Sequence, residues 1–390
     1  MARLRVLVLL STFIIVGIFG VVAILYARGF RLQNNKDTIA LGPTGLLVAN
    51  SDPTGAQVFV EGELKTATDN SISLPPGTYN VTIKKEGFLG WEKDITIEKE
   101  AVTQVDAFLV SAAPSLTALT FSGAINPTAS EDFSKIAYVV PTAADNIERA
   151  GLWIMETVNL PLGFNRDPRR ITDGDLTGAT YEFSPDAREI LLTTSSGTYL
   201  LNVSEFTPQT ARINILAQVQ TIKAEWQEIR TTRLAAKIAP LPDEIESVFA
   251  KSTSGILFSP DENRILFTAT AQAQIPEDKV PKLPGSSTQP QERQLTQGKK
   301  YVYDIREDRN FAVGNSEEIV YWVSNSLNLI IPEENKITIT DYDGTNKKTV
   351  YSGSYVFPVS YPSTNVNRLL LLTNYGASDS LTNLYWLSLK

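Results

Sequence analysis

The amino-acid sequence predicts a mainly β protein that begins with one transmembrane helix. Residues 6–27 contain no charged side chain, and at about 1.5 Å per helical residue this run can cross the roughly 30 Å hydrocarbon core of a bilayer. Between residues 46 and 112, apolar and polar side chains alternate as in half-buried strands. From residue 113 to the end, short polar turns followed by apolar runs recur, which indicates further β-hairpins.

The N-terminal segment, residues 1–30, is predicted to be an uncleaved membrane anchor, so the lipid bilayer is the first expected partner, through residues 6–27. Two alternatives stay open: a cleaved signal peptide and a buried core helix. The apolar run is long for a signal peptide, and Leu25-Tyr26-Ala27 lacks the small-x-small pattern of a cleavage site. Basic residues flank both ends of the run: Arg3, Arg5, Arg28, Arg31 and Lys36.

Composition excludes several classes of function. The 390 residues are too many for one core, so more than one domain is expected. The chain has no cysteine and no histidine, which excludes disulfides, zinc-thiolate sites, the Ser-His-Asp triad and the H-E-x-x-H metal motif. Its net charge is -8, and the sequence contains no basic stripe. We therefore expect no nucleic-acid partner.

Residues 46–112 are predicted to form a small antiparallel β-sandwich, preceded by a spacer at residues 31–45. Strict alternation occurs at residues 57–61, 79–84 and 94–98. Proline and glycine mark the intervening turns, since proline presets φ and glycine accepts positive φ. These turn residues include Pro53, Gly55, Pro76, Gly77 and Gly87.

Residues 47–62 and 74–88, with Trp91, resemble a PEGA domain. The signature appears as Pro53-Thr54-Gly55-Ala56, with threonine in place of glutamate. The resemblance implies an extracytoplasmic β-module of envelope proteins without catalytic residues, either as a spacer or as a module that binds a cell-wall or surface-layer component. We expect Phe88 and Trp91 to belong to its core rather than to an aromatic binding edge. The signature residues expected to shape this module are Pro53, Gly55, Ala56, Pro76, Gly77, Tyr79, Gly87 and Phe88.

This resemblance also guides the predicted topology. Counting basic residues alone would favour a cytoplasmic C-terminal side. The short basic N-terminal tail and the envelope-type module favour the opposite. We expect a single-pass protein of the cell membrane with a cytoplasmic N-terminus and extracytoplasmic C-terminal domains.

A turn-and-strand motif recurs through residues 113–390. The clearest copies are Ser184-Pro185-Asp186 and Ser259-Pro260-Asp261, each after a phenylalanine and before an apolar strand. Proline holds φ of the tight turn, and aspartate closes the turn through its backbone. Degraded copies are predicted at Ser130–Tyr138, Asn315–Tyr321 and Pro362–Thr373.

This recurrence resembles a TolB-like or WD-type β-propeller. The resemblance implies about five or six blades, and we expect a strand near Leu116–Phe121 to join the last blade and close the ring. An array of β-sandwiches is the alternative. Two insertions are predicted: residues 221–251 as helix, from apolar residues at spacings of three and four, and residues 271–300 as a mobile loop rich in Gln, Pro and Lys.

No reaction is predicted. Without histidine or cysteine an enzyme would need carboxylate pairs or an oxygen-ligated metal, and the sequence marks out no such pair, so we expect no catalytic residue, cofactor or metal. Asp341-x-Asp343-Gly344 begins like a calcium loop but lacks the distal glutamate, and a plain turn is expected. The predicted function is a non-catalytic envelope protein that binds a protein or a surface glycan. A carboxylate-dependent glycan hydrolase and a structural surface-layer component are the alternatives.

Overall fold

The computed structural model describes residues 2–27, 30–35, 38–142, 147–158, 167–281, 283, 285, 287–375 and 381–390. Two compact units are present. The first comprises Met1–Leu109 and Pro281–Pro290, and the second comprises Val110–Val280 and Gln291–Lys390. Arg28 and Lys36, which were expected to flank the membrane span, lie outside the described residues.

The first unit begins with helix α1 (Ala2–Ala27). From Leu9 to Ala27 its mean hydropathy is 2.5 and none of it is buried, so the alternative of a buried core helix is wrong. Arg31 lies 3.8 Å from the centre of the Tyr26 ring, an aromatic and basic pair typical of a membrane interface. Where the sequence predicted only a spacer, strands β1 (Phe30–Asn35) and β2 (Thr38–Pro43) pair as an antiparallel hairpin.

Two sheets follow in the first unit. Their strands are β3 (Gly45–Asp52), β4 (Gln57–Val60), β5 (Glu63–Ala67), β6 (Asn70–Leu74), β7 (Gly77–Lys84), β8 (Trp91–Ile97) and β9 (Val102–Phe108). One sheet has the order β6-β3-β9 and the other β5-β4-β7-β8. The pairs are antiparallel as predicted except β3 and β9, which are parallel, because the chain crosses from β8 in the other sheet before it enters β9. Leu47, Val58, Val81 and Ile83 fill the core with no exposed area.

The second unit consists mostly of strands. In chain order these are β10 (Leu116–Ala118), β11 (Ile125–Ala129), β12 (Lys135–Val140), β13 (Gly151–Glu156), β14 (Arg169–Asp173), β15 (Thr180–Phe183), β16 (Glu189–Thr194), β17 (Gly197–Asn202), β18 (Thr253–Phe258), β19 (Arg264–Ala269), β20 (Ala273–Gln274), β21 (Gln294–Leu295), β22 (Lys299–Asp304), β23 (Arg309–Asn315), β24 (Tyr321–Trp322), β25 (Asn328–Glu333), β26 (Lys336–Asp341), β27 (Lys348–Ser352), β28 (Ser360–Pro362), β29 (Arg368–Thr373) and β30 (Asn383–Ser388).

In the described part of this unit the strands form five successive blades. Blade I is β11-β12-β13-β14, blade II is β15-β16-β17, blade III is β18-β19-β22-β23, blade IV is β24-β25-β26-β27, and blade V is β28-β29-β30 with β10 added at its edge. Buried side chains join neighbouring blades: Leu152 with Ile190 between blades I and II, Leu266 with Leu329 between blades III and IV, and Ile136 with Leu370 between blades I and V.

The circle of blades is closed by β10. This strand pairs antiparallel with β30, with Thr117 opposite Trp386, so a segment before blade I completes blade V. The prediction that a strand near Leu116–Phe121 joins the last blade is confirmed. Closure of the circle identifies a β-propeller and rules out the open array of sandwiches.

Turns between the first and second strands of the blades correspond to the predicted motif, with one correction. In blade IV this turn lies at Val323–Leu327, where Val323 N–H bonds Asn328 O at 2.9 Å, and not at Asn315–Tyr321. Asn315 instead ends β23, and the N–H of Glu318 bonds its carbonyl at 3.1 Å. The prediction was wrong because this connection between blades is also a polar turn before an apolar pair.

The first predicted insertion contains helices α2 (Val219–Ile238) and α3 (Asp243–Ser252). Trp226 and Ile238 are buried, whereas Ile229 is exposed. The second insertion contains a strand pair that the predicted mobile loop did not include. Strands β20 and β21 pair there, and the predicted range runs on into β22.

Candidate binding site

First strands of the blades meet at the axis of the propeller, and aromatic side chains fill the space between them. Tyr361 in β28 donates a hydrogen bond to Pro127 O in β11 at 3.0 Å, and Tyr181 in β15 donates one to Asn126 O. The rings of Tyr321 and Tyr361 lie 6.0 Å apart, and Phe133 packs against both. Burial raises the pKa of Tyr321 to about 12, so its hydroxyl stays protonated at neutral pH.

Helix α2 lies across the turns of three consecutive blades. Arg230 contacts Glu131 of blade I and lies 3.3 Å from Glu182 of blade II. Arg233 Nη1 donates to Pro185 O at 2.6 Å, and Lys237 lies 2.8 Å from Glu262 of blade III. The chain's own helix therefore occupies this face of the propeller near the axis.

A pocket of about 170 Å³ lies where the chain crosses from blade V to blade I. We call it the rim pocket; its lining includes Leu119, Phe121, Ser122, Tyr138, Arg149 and Trp153. After β10 pairs with β30, residues 119–124 must turn back towards β11. The N–H of Gly123 donates to Asn383 Oδ1 at 3.1 Å and fixes this turn, and its φ of +87° favours glycine.

The chemistry of the rim pocket is aromatic and basic. Phe121 is 83% exposed. Arg149 donates to Ser122 Oγ at 3.0 Å, and Trp153 Nε1 donates to Arg149 O at 2.8 Å, so these bonds fix the guanidinium and the indole, and Phe121 lines the same opening. Among the described lining residues the charged side chain is Arg149. Such a site can stack against a flat or sugar-like face and attract an anionic group.

The Ser-Pro-Asp residues lie in turns and not at the rim pocket. Ser184 Oγ donates to Asp186 Oδ1 at 2.7 Å and accepts from Glu189 N–H at 3.0 Å. The hydrogen bond from Ser184, with one from the Arg188 N–H, lowers the pKa of Asp186. Ser259 and Asp261 make the same contact at 2.6 Å, on either side of Pro260. These residues shape the blades.

The PEGA-type signature residues also act within the fold. Gly55 and Gly87 adopt φ of +72° and +80° in turns, and Ala56 is fully buried. Tyr79 donates to Pro75 O at 2.9 Å, between the turn at Pro76-Gly77 and the core. Trp91 is 4% exposed and Phe88 packs against the same core, so the expectation of core aromatics is confirmed.

Asp343 accepts from Thr345 N–H and Oγ1 in the turn after β26, the region that resembles a calcium loop.

Sequence reasoning did not find the rim pocket. Arg149 and Trp153 are only four residues apart, whereas Phe121 lies in the crossing segment before blade I, and the three share no motif. All of the described lining residues lie between residues 119 and 168, and the turn that carries Phe121 is held to blade V through Gly123 and Asn383. The nearest signal was the expectation that residues 116–121 cross to the last blade.

The class of protein follows from these units: an N-terminal apolar helix, a small β-sandwich and a closed β-propeller. Residues 44–112 match the family model of the PEGA domain, so the sandwich is a PEGA domain. No curated protein sequence matches the chain.

Solved structures with similar folds include TolB proteins. A putative TolB from Agrobacterium tumefaciens is 10% identical, with 69% of this chain and 74% of that chain covered and a TM-score of 0.22. TolB from Acinetobacter baumannii is 14% identical, with coverages of 89% and 64% and a TM-score of 0.19. An acylaminoacyl peptidase from Pyrococcus horikoshii is 13% identical, with coverages of 69% and 39% and a TM-score of 0.22. These similarities are low, and the β-propeller follows from the order of this chain's own sheets.

Proposed function

We propose that the chain is a non-catalytic, membrane-anchored protein of the cell envelope that binds a partner at the rim pocket of its propeller. Helix α1 anchors it, with the N-terminus cytoplasmic and both β units extracytoplasmic. The apolar, unburied segment Leu9–Ala27 supports the anchor, and the PEGA domain supports the envelope. The PEGA domain serves as a spacer between the membrane and the propeller.

The observation that carries the binding role is the rim pocket itself. It combines an 83% exposed phenylalanine, an arginine and a tryptophan in one lining, and aromatic and arginine side chains are enriched at interaction sites. The volume of about 170 Å³ is below the roughly 300 Å³ of common small-molecule pockets. It fits one sugar residue at the end of a glycan or one side chain of a protein, preferably with an anionic group near Arg149.

Chemistry at this pocket argues for binding rather than hydrolysis. A glycoside hydrolase needs two carboxyl groups, about 5 to 9.5 Å apart, on either side of the bond that breaks. The described lining of the rim pocket contains no aspartate or glutamate. The glycan hydrolase that the sequence left open therefore lacks support here.

The experiment uses the full chain in detergent micelles, tested for binding and turnover on cell-wall glycans and envelope peptides. We expect saturable binding without product, weakened about tenfold by Phe121→Ala, since an aromatic contact of about 1.4 kcal/mol corresponds to that factor. Arg149→Ala should weaken anionic ligands. Phe206→Ala and Arg188→Ala change exposed residues elsewhere on the propeller and serve as matched controls. Product release that a single Asp or Glu substitution abolishes would overturn the proposal, as would equal affinity of the pocket variants and controls.

A further inference from the structure

The PEGA domain has a seam where the last strands of its two sheets lie side by side. Strand β8 ends one sheet and β9 ends the other, and a short turn connects them. Each edge strand presents backbone N–H and C=O groups on its outer side that need partners. The seam between β8 and β9 is therefore a place where another polypeptide segment can bind.

Thr288 and Gln289 occupy the β8 side of this seam. The N–H of Thr96 donates to Thr288 Oγ1 at 3.1 Å, and Gln289 Nε2 donates to Asp94 O at 2.7 Å. Asp94 and Thr96 are two positions apart, so their backbone groups point to the same, outer side of β8. Gln289 is only 8% exposed, which means that its amide is committed to this contact.

On the β9 side the same segment makes a contact that only glycine allows. Gly285 adopts φ of +72°, and a Cβ there would lie 1.9 Å from Val102 O and 3.2 Å from Thr103 Cα. Real Cβ atoms do not come this close to a backbone oxygen. The segment thus contacts both edge strands through specific residues. Gly285 lies against β9, and Thr288, three positions later, bonds β8.

We propose that the β8–β9 seam of the PEGA domain is a polypeptide-binding site and that the segment carrying Gly285, Thr288 and Gln289 is its occupant. The ligand class is a short segment with a glycine against β9, a hydroxyl acceptor for Thr96 N–H and an amide donor for Asp94 O. The segment interrupts the sequence of blade III between β20 and β21, yet it belongs to the first unit with the PEGA domain. This interaction is separate from the rim pocket.

Amide hydrogen exchange of the full chain tests the contacts directly. Thr288→Val removes the acceptor of Thr96 N–H and should speed exchange in β8 about tenfold, as expected when a backbone group loses its partner. Gly285→Val should displace the segment and give at least the same effect. Gln289→Ala should also speed exchange, whereas Gln274→Ala, an exposed glutamine of the same insertion, should not. Unchanged exchange of β8 in both Thr288→Val and Gly285→Val would overturn the proposal.

Binding in trans distinguishes recognition from mere packing. In a full chain whose residues 281–290 are replaced by a Gly-Ser linker of equal length, β8 should exchange fast. A synthetic peptide of residues 281–290 should restore protection at roughly millimolar concentration, the effective concentration that a short tether provides. A peptide with Gly285→Val should not restore it. Fast exchange that neither peptide slows would contradict a binding site.

Discussion

The PEGA domain and the propeller are both β structures, but they are specified in different ways. In the PEGA domain, β4 pairs with β5 and β7, β7 pairs with β8, and its core residues fall between positions 47 and 109. The propeller is closed by β10 and β30, near the two ends of that unit. Short motifs therefore suffice to identify the first fold. The closure of the second depends on contacts between residues that are distant in the sequence.

The largest expected effect is a loss of stability confined to one of the two hydrophobic cores. Leu47 and Leu152 are both fully buried, the first in the PEGA domain and the second between blades I and II. Each Leu→Ala change should cost about 2–5 kcal/mol through lost burial and an unfilled cavity. Hydrogen exchange during denaturant unfolding should show Leu47→Ala weakening the PEGA strands and Leu152→Ala weakening the blades. If either change destabilised both regions equally, the cores would not be independent.

The second prediction concerns closure of the propeller. Thr117→Pro removes the N–H of the central residue of β10 and should break its pairing with β30, at a cost of about 1–3 kcal/mol. Thr117→Val keeps the N–H and the branched shape, and it is the matched control. Chemical denaturation followed by tryptophan fluorescence reports this loss, since Trp386 lies opposite Thr117. Equal stability of the proline and valine variants would show that β10 does not hold the circle closed.

A third prediction uses the aromatic axis, which distinguishes the propeller from the sandwich. Burial raises the pKa of Tyr321 from 10.0 to about 12. The unfolded chain thus loses this proton at lower pH than the folded chain, and stability falls as pH rises from about 10 to 12. Tyr321→Phe should make that alkaline loss smaller in a series of denaturation curves. An unchanged pH dependence would mean that the Tyr321 hydroxyl is exposed to solvent in the folded protein.

The smallest expected effect concerns helix α2. Arg230→Ala removes the ion pairs with Glu131 and Glu182, and because these groups are partly exposed we expect a loss of about 0.2–1 kcal/mol that salt diminishes. Exchange of α2 amides at low and high ionic strength measures it. Lys251→Ala, at an exposed position in α3, is the control. A loss that salt leaves unchanged would indicate packing rather than charge.

The sequence predicted what local chemistry determines and missed what distant pairing determines. The turns at Gly55, at Gly87 and at the Ser-Pro-Asp motifs could be predicted from the sequence. Their φ angles and hydroxyl–carboxylate contacts are set within a few residues. The motif copy predicted at Asn315–Tyr321 was wrong because a connection between blades uses the same polar turn chemistry. The parallel pairing of β3 with β9 and the meeting of Phe121 with Arg149 have no local signature, since each brings together residues that are far apart in the sequence.

The central proposal is that an uncleaved N-terminal helix holds both β units on the extracytoplasmic side of the membrane. The chain lacks cysteine, so one introduced thiol gives a unique label. In intact cells, a membrane-impermeant maleimide should label Glu205→Cys, at an exposed propeller position, and should label Ala2→Cys only after lysis, with both variants in the membrane fraction. Labelling of Ala2→Cys with protection of Glu205→Cys, or release of a shortened chain without the Ala2→Cys thiol, would contradict the account.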